Sequence, residues 1–175
     1  MLIGLCGFKR AGKDTVASGL VQVHGFTRVA FADALRREVA EIDGIPVAED
    51  AMKDVPAANG RTYRDALIDR GQARRAEDPD YWVKQLQAIV LDMRSNANVV
   101  VSDCRFPNEF AWVREHGGHL VWIRRCGVVS NGDITEQDWS HKCDFTFDND
   151  MSTPPALAAR LLQDIELWTG APAAA

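Results

Sequence analysis

The sequence predicts a three-layer α/β fold with a mostly parallel five-stranded sheet flanked by helices. Short apolar, β-branched runs alternate with segments whose apolar residues recur every three to four positions, a pattern typical of alternating strands and amphipathic helices. The 175 residues fit one domain of ordinary size. No internal repeat or low-complexity linker interrupts the pattern. We therefore expect a single domain across residues 1–175.

The first elements show the pattern most clearly. Residues 2–6 form an apolar run, and apolar residues then recur at helical spacing from Lys13 until Gly25 ends the helix. A second β-rich run covers 27–31. Asp33 follows it and predicts the N-cap of the next helix.

A segment with little periodicity separates these elements from the rest. Residues 43–60 contain two prolines and several glycine or asparagine breakers, which indicates a mobile excursion from the core. Asp78 and Pro79 are typical of an N-cap followed by proline at the first helical position. The remaining predicted helices cover 63–75, 78–95, 107–116 and 154–168, and the remaining predicted strands cover 98–102, 119–123 and 144–147.

The five tryptophans suggest surfaces for base stacking, but aromatic residues at helical or strand spacing are more often part of the core. We predict core positions for Trp112, Trp122 and Trp168. Trp82 and Trp139 are left open between the two roles.

The net charge of −5 argues against a nucleic-acid partner, because affinity for a nucleic-acid backbone comes from Lys and Arg that neutralise its phosphates. Local basic spots remain, and an acidic protein can use them to hold a small polyanion. They are Lys9, Arg10 and Lys13, then Arg36 and Arg37, Arg74 and Arg75, and Arg124 and Arg125.

No export or membrane signal is evident, so we expect a cytoplasmic protein without a membrane partner. The N-terminus lacks the basic flank and apolar core of a signal peptide, and no apolar run approaches the about 20 residues that cross a bilayer. The four cysteines form no CxxC pair and are expected to be reduced thiols. Cys126, His141 and Cys143 offer an alternative zinc site, but they lack paired spacing and a fourth ligand.

The strongest chemical signal is a glycine-rich loop between the first strand and the first helix. Residues 7–15 read GFKRAGKDT, which places Gly7, Gly12 and Lys13 at the G-x-x-x-x-G-K spacing of a phosphate-binding loop. In such a loop, backbone N–H groups and the helix N-terminus surround a phosphate while the lysine reaches its outer oxygens. The strand–loop–helix context disfavours the alternative, a glycine-rich turn with an unpaired lysine.

The candidate metal ligands depart from the usual loop. The residue after the lysine, normally Ser or Thr, is Asp14, and the hydroxyl comes one place later at Thr15. Either residue can hold Mg²⁺, and the sequence does not decide between them. Asp103 ends the buried VVV run as a Walker-B acid does, with a helix N-cap as its alternative role. Arg105 either faces the same cleft or lies on the surface.

Four motifs, GFKRAGKDTVA, AFADALR, DPDYWVKQL and SDCRFPNEF, resemble in order and spacing the deoxynucleoside monophosphate kinases of bacteriophages and prophages. The resemblance covers most of the chain and includes the aspartate at position 14. The chain departs from the family at Ala34, where proline is usual, and at 71–73, where a GTE-like triplet is usual. It also carries Met151 where the family has glycine.

This resemblance implies a P-loop kinase fold with an acceptor-binding helical insertion at about 33–95 and a lid-like segment at about 124–142. It implies transfer of the γ-phosphoryl group of ATP, with Mg²⁺ as cofactor, to a nucleoside monophosphate. The implied ATP-binding residues are Gly7, Lys9, Arg10, Gly12, Lys13, Asp14 and Thr15, and the implied metal ligands are Asp14, Thr15 and Asp103. The implied acceptor-binding residues are Asp33, Arg36, Arg64, Arg74, Arg75 and Trp82, and the implied catalytic residues are Lys13, Asp103, Arg105, Arg124 and Arg125.

Two other functions fit the same loop. One is a kinase for another small phosphorylated metabolite, since animal-type phosphomevalonate kinases are similar around the loop. The other is a non-catalytic nucleotide-binding module, which would leave the arginine-rich segment 61–75 without a purpose. The sequence leaves open the accepted base, the arginine that holds the acceptor phosphate, and whether the chain forms a homodimer.

Overall fold

A computed structural model describes residues 1–47, 52–56, 60–94, 97–130, 132 and 136–170. Its five strands form one parallel sheet in the order β2-β3-β1-β4-β5, which confirms the predicted sheet. The strands are β1 (Leu2–Cys6), β2 (Thr27–Val29), β3 (Val99–Val101), β4 (His119–Arg124) and β5 (Phe145–Asp148). The helices are α1 (Lys13–His24), α2 (Phe31–Ile42), α3 (Tyr63–Glu77), α4 (Tyr81–Arg94), α5 (Pro107–Glu115) and α6 (Pro154–Thr169).

The central strands are apolar because helices cover both faces of the sheet. Every residue of β1 and β3 is buried. In the parallel register, Ile3 of β1 lies between Val100 of β3 and His119 of β4. The loops that follow these three strands therefore all lie at the carboxyl ends of the strands, where ligands of open α/β sheets bind.

Helices α1 and α6 cover one face of the sheet and pack closely against each other. The core on this face includes Leu5, Val16, Leu20, Val121, Phe147, Leu161 and Ile165. Gly19 of α1 lies at the closest approach of the two helices. A Cβ atom there would lie 2.0 Å from the carbonyl oxygen of Pro154 and 2.9 Å from the Cβ of Ala158. The spacing of α1 and α6 thus requires glycine at position 19.

The chain divides into two compact units. One contains Met1–Ala30 and Ile89–Ala175, and with them the whole sheet. The other is Phe31–Ala88, a helical unit built from α2, α3 and the first part of α4. The single domain with an insertion at about 33–95 stays a prediction.

Two helix starts differ from the sequence prediction. Helix α2 begins at Phe31, so Asp33 lies in its first turn and is not the N-cap. Helix α4 begins at Tyr81 and not at Asp78. The Asp78 side chain accepts a hydrogen bond from the Asp80 N–H, and its carbonyl accepts one from the Tyr81 N–H. Asp78 therefore forms the turn between α3 and α4, a role that aspartate fills as readily as an N-cap.

Two of the three core predictions for tryptophan are confirmed. Trp112 and Trp122 are buried, whereas Trp168 is 50% exposed in the last turn of α6. Trp168 contacts His119, the first residue of β4, and Phe145, the first residue of β5, at ring-centre distances of 5.6 and 6.1 Å.

The remaining sequence expectations concern the excursion and membranes. Residues 48–51 and 57–59 of the excursion at 43–60 lie outside the described residues. Where residues are described, no helix combines the length and apolar character that a membrane span requires.

The contact at Gly19 gives a stability prediction. Alanine is intrinsically better than glycine inside a helix by about 1 kcal/mol. We nevertheless expect Gly19→Ala to lower the free energy of unfolding by about 2 kcal/mol or more, because its methyl group would overlap the Pro154 carbonyl. Denaturant unfolding measures this change, with exposed Gln22→Ala in the same helix as control, expected within about 0.5 kcal/mol of the parent. A Gly19→Ala variant as stable as the parent would contradict the described packing.

Candidate active site

The loop between β1 and α1 has a backbone suited to enclosing an anion. Gly7, Arg10 and Gly12 have positive φ angles of 134°, 68° and 97°. A Cβ on Gly7 would lie 2.5 Å from the carbonyl oxygen of Ile123, and one on Gly12 would lie 2.1 Å from Nδ2 of Asn149. Glycine is therefore required at both ends of the loop. Helix α1 begins immediately after Gly12, so the unpaired N–H groups of its first turn border the loop.

The lysine of the loop, Lys13, is buried and binds the backbone at the start of the loop. Lys13 Nζ donates hydrogen bonds to the carbonyl oxygens of Gly7, at 2.7 Å, and Phe8, at 2.9 Å. Burial, together with the nearby Arg105 guanidinium, lowers the pKa of Lys13 to about 8. A bound phosphate would favour the charged lysine and raise this pKa again. The Lys13 ammonium thus lies inside the loop, and its contact with nucleotide phosphates stays a prediction.

A carboxylate from the segment after β4 lies against this loop. Glu136 is 4% exposed, and its Oε2 accepts a hydrogen bond of 2.5 Å from the backbone N–H of Lys9. Its Oε1 accepts a second, also 2.5 Å, from Nη1 of Arg105. Ser130 Oγ donates to the Glu136 carbonyl oxygen at 2.7 Å and fixes its backbone. Sequence reasoning missed Glu136, because one glutamate in a polar, turn-rich segment carries no local sign of burial.

Arg105 and Asp103 follow β3 at the same edge of the sheet. The buried Glu109 accepts hydrogen bonds from the N–H groups of Arg105, at 2.7 Å, and Phe106, at 3.1 Å. This carboxylate fixes the backbone that carries Arg105 just before α5. Asp103 lies close enough to favour the charged form of Lys13. The SDCRFPNE motif thus brings an acid and an arginine to the loop and supplies the glutamate that positions them.

The residues at the loop suit Mg²⁺ better than zinc. Asp14 lies in the first turn of α1, and both Asp14 and Asp103 favour the charged form of Lys13. Arg28 Nη2 lies 3.9 Å from Asp14 Oδ1. At phosphate sites, Mg²⁺ is held by one or two carboxylates, with phosphates and water completing its shell. Asp14 and Asp103, both near Lys13, are carboxylates of the kind that Mg²⁺ requires, and Thr15 adds a hydroxyl near Gly12.

The zinc alternative at Cys126, His141 and Cys143 has no support in the fold. The part of the chain that the structure describes contains no group of three or more His, Cys, Asp or Glu able to hold a metal. Cys143 instead contacts the buried Cys6 thiol, and burial raises the pKa of Cys6 well above its usual value.

Asn149 connects the loop to the segment after β5. This buried side chain donates from Nδ2 to the carbonyl oxygen of Ala11 at 2.9 Å, while its Oδ1 accepts from the Met151 N–H at 2.9 Å. Its own N–H donates to the Arg124 carbonyl oxygen at 2.7 Å. Met151 has a positive φ of 66°, which explains why glycine suits this position. Sequence analysis did not select Asn149.

Arg124, the last residue of β4, and Arg125, which follows it, have different surroundings. Arg124 forms two hydrogen bonds with the Asp148 carboxylate, of 2.6 and 2.8 Å, which joins the ends of β4 and β5. Arg125 instead contacts the carbonyl oxygen of Arg10 and the sulfur of Met151, each at 3.4 Å. Of these two arginines, Arg125 is therefore the one that lies at the loop. The lid-like role of 124–142 stays a prediction.

Several arginines of the helical unit are held by carboxylates of the same unit. Arg64 pairs with both oxygens of Asp54. Nε of Arg74 donates to Glu38 at 2.6 Å, and Nη1 of Arg36 lies 3.2 Å from Asp33.

Trp82 and Arg75 meet at Gly71. Trp82 Nε1 and Arg75 Nη1 each donate to the Gly71 carbonyl oxygen at 3.3 Å. Trp82 is buried, so its indole packs inside the helical unit and does not offer a face for stacking. The hydroxyl of Tyr63, also buried, has no partner among the described residues. Its burial raises the pKa of Tyr63, with Arg36 acting in the opposite direction. Tyr63 was not selected from the sequence.

Comparison with known proteins gives one curated relative and many similar folds. No protein-family model matches the chain. A protein of Acanthamoeba polyphaga mimivirus named "putative deoxynucleotide monophosphate kinase" is 32% identical over 149 residues, 75% of this chain and 77% of the relative. Dephospho-CoA kinase from Campylobacter jejuni has a TM-score of 0.53 at 15% identity, over 97% of this chain and 98% of that one. TT1252 from Thermus thermophilus has a TM-score of 0.55 at 16% identity, over 95% and 96%. These structures share the P-loop kinase fold.

The Asn149 contacts predict that the loop depends on this side chain. Asn149→Ala removes the donor to Ala11 O, so we expect a loss of about 1–3 kcal/mol in the free energy of unfolding. We also expect ATP to bind about 10-fold more weakly, because the loop is less pre-organised. Denaturant unfolding and calorimetric ATP titration measure the two effects. The control is Ser152→Ala, an exposed position in the same segment, and equal ATP affinity in both variants would refute the role of Asn149.

Proposed function

The chain belongs to the family of deoxynucleotide monophosphate kinases, and we propose that it transfers the γ-phosphoryl group of ATP to a deoxynucleoside monophosphate. The products would be a deoxynucleoside diphosphate and ADP. One observation carries this proposal: Lys13, Arg105 and the Lys9 N–H surround the buried carboxylate of Glu136 at the loop. Such donors suit a phosphate whose negative charge changes during transfer.

The transfer needs positioning and charge balance more than proton chemistry. The acceptor phosphate is already largely ionised at neutral pH and can attack the γ-phosphorus in line without a general base. Lys13 and the loop N–H groups would hold the donor phosphates. Arg105 and Arg125 would contact the transferring group, since both lie at the loop. Exclusion of water from this site would suppress ATP hydrolysis.

Mg²⁺ would be held by Asp14 or Thr15 together with Asp103, and when bound it would neutralise charge on the donor phosphates. Two observations support this assignment. Glu109 fixes the chain after Asp103, and α1 carries Asp14 and Thr15 in its first turn.

The helical unit would receive the acceptor. It carries Asp33, Arg36, Arg64, Arg74 and Arg75, which supply both positive charge for a phosphate and polar groups for a base. Arg36, Arg64 and Arg74 are each paired with a carboxylate of the same unit, so an acceptor phosphate would replace a carboxylate at whichever of these arginines it contacts. Selection of deoxy over ribo acceptors is proposed on family membership.

An acceptor panel tests the function. We expect ADP release to depend on an added deoxynucleoside monophosphate, with kcat/KM above that of the matching ribonucleotide by up to about 10²-fold, since a wall beside the sugar rejects one hydroxyl only moderately. All four deoxynucleotides and their ribo counterparts should be compared with ATP and Mg²⁺. Lys13→Ala serves as control and should lower turnover by at least about 10²-fold. If none of the eight acceptors stimulates ADP release, the acceptor class is wrong. Ribonucleotides that equal or exceed their partners would remove only the deoxy preference.

Replacement of Arg124 and of Arg125 should have different effects on turnover and stability. Arg125→Ala should lower kcat by about 10³-fold, as loss of an arginine at the transferring phosphoryl does, and change ATP affinity only a few-fold. Arg124→Ala should chiefly remove the pair with Asp148, which contributes little to stability because both side chains are exposed to solvent. Steady-state kinetics and unfolding of both variants provide the comparison. The reverse order of kcat losses would assign the phosphoryl contact to Arg124.

The metal ligand can be identified by titration. If the Asp14 carboxylate holds Mg²⁺, Asp14→Ala should raise the Mg²⁺ concentration at half-maximal rate more than Thr15→Ala does. The measurement is initial rate against Mg²⁺ at fixed ATP. A larger shift in Thr15→Ala would move the role to the hydroxyl.

A further inference from the structure

Glu136 occupies a position whose donors suit an anion from outside the chain. Its two carboxylate oxygens accept one hydrogen bond from a loop N–H and one from an arginine, and the side chain is almost fully buried. The Glu136 charge also favours the charged form of Lys13. We call this place, bounded by the Lys9 N–H, Arg105 and Lys13, the anion site.

The same three donors are those that a nucleotide phosphate requires. Loop N–H groups, an arginine and the loop lysine bind phosphate oxygens with charge-assisted hydrogen bonds. A carboxylate and a phosphate placed together would repel each other, because both are negatively charged and little water is present to screen them. Glu136 and a phosphate therefore cannot occupy the anion site at the same time.

The anion site corresponds to the outer end of the nucleotide. Residues at the start of α1 border the end of the loop that holds the inner phosphates. Lys9 lies in the first half of the loop, four residues before Lys13. Arg105, in the segment after β3, contacts the same site. The anion site is thus where the terminal phosphate of ATP would lie, a phosphate that ADP lacks.

We propose that Glu136 is an internal competitor for the γ-phosphate. It neutralises Arg105 and the loop N–H in the free protein, and ATP must displace it before Arg105 can contact the transferring phosphoryl. ADP has no γ-phosphate, so Glu136 keeps its contacts in the anion site when ADP binds. The carboxylate therefore weakens the binding of ATP more than that of ADP, and this inference rests on the ATP-dependent function proposed above.

A purely structural role for Glu136 would predict something different. Loss of a structural carboxylate would lower stability and affect both nucleotides alike. A carboxylate that stayed in place to orient Arg105 toward a bound phosphate would strengthen ATP binding, so its removal would weaken it. The ratio of ATP to ADP affinity separates these roles.

The experiment is calorimetric titration of ATP and of ADP, each with Mg²⁺ and without acceptor, into the parent protein and Glu136→Gln. Glutamine keeps the size and hydrogen-bonding oxygen but removes the charge. We expect ATP to bind about 10-fold more tightly to the variant, and ADP to change less than about 3-fold, because only the γ-phosphate meets the carboxylate. The control is Asp138→Asn, which removes an equal charge at an exposed position two residues away and should leave both affinities within about 2-fold.

Three results would overturn the proposal: unchanged ATP affinity, weaker ATP binding, or equal tightening of ATP and ADP in Glu136→Gln. If that variant does not fold, Glu136→Asp keeps the charge but shortens the reach to Lys9 and Arg105, so ATP should still gain more affinity than ADP. An ATP-to-ADP ratio unchanged in folded Glu136→Asp would equally overturn the proposal. A parent protein that binds ADP and ATP normally but phosphorylates no acceptor would instead contradict the proposed function alone.

Discussion

The close approach of other elements to the loop backbone is the constraint on which the site depends. The loop has no room for a Cβ atom at Gly7 or Gly12, because β4 contacts one end and Asn149 contacts the other. An enclosed loop of this kind keeps its N–H groups oriented before any ligand arrives. The cost is a strained backbone, including the positive φ angle of Arg10, which the surrounding contacts must hold in place.

Buried donors at the loop need hydrogen-bond partners, and two carboxylates provide them. Unpaired N–H groups and an unpaired guanidinium are costly away from water, so each needs a partner when no phosphate is bound. Glu136 accepts hydrogen bonds from the Lys9 N–H and the Arg105 guanidinium. Glu109 accepts hydrogen bonds from the backbone N–H groups of Arg105 and Phe106. The two glutamates differ in their tasks: one satisfies groups that a ligand would also satisfy, and the other only fixes the chain.

The sequence predicted the parts of this architecture that leave a local pattern. Strand and helix periodicity gave the parallel sheet, and the spacing of Gly7, Gly12 and Lys13 gave the loop. It missed Glu136 and Asn149 because their partners lie 127 and 138 residues away in the chain. Errors at Asp33 and Asp78 arose where one residue type suits both an N-cap and another local role, so tertiary packing decides.

The hydrogen bond between Asn149 and Ala11 also links the order of synthesis to the order of assembly. The loop is made before the side chain that braces it, because Asn149 follows Ala11 by 138 residues in the chain. A contact of such sequence separation forms only after the intervening chain has been ordered. The phosphate-binding loop of a growing chain would thus remain incomplete until β5 joins the edge of the sheet, and nucleotide could not aid folding before that step.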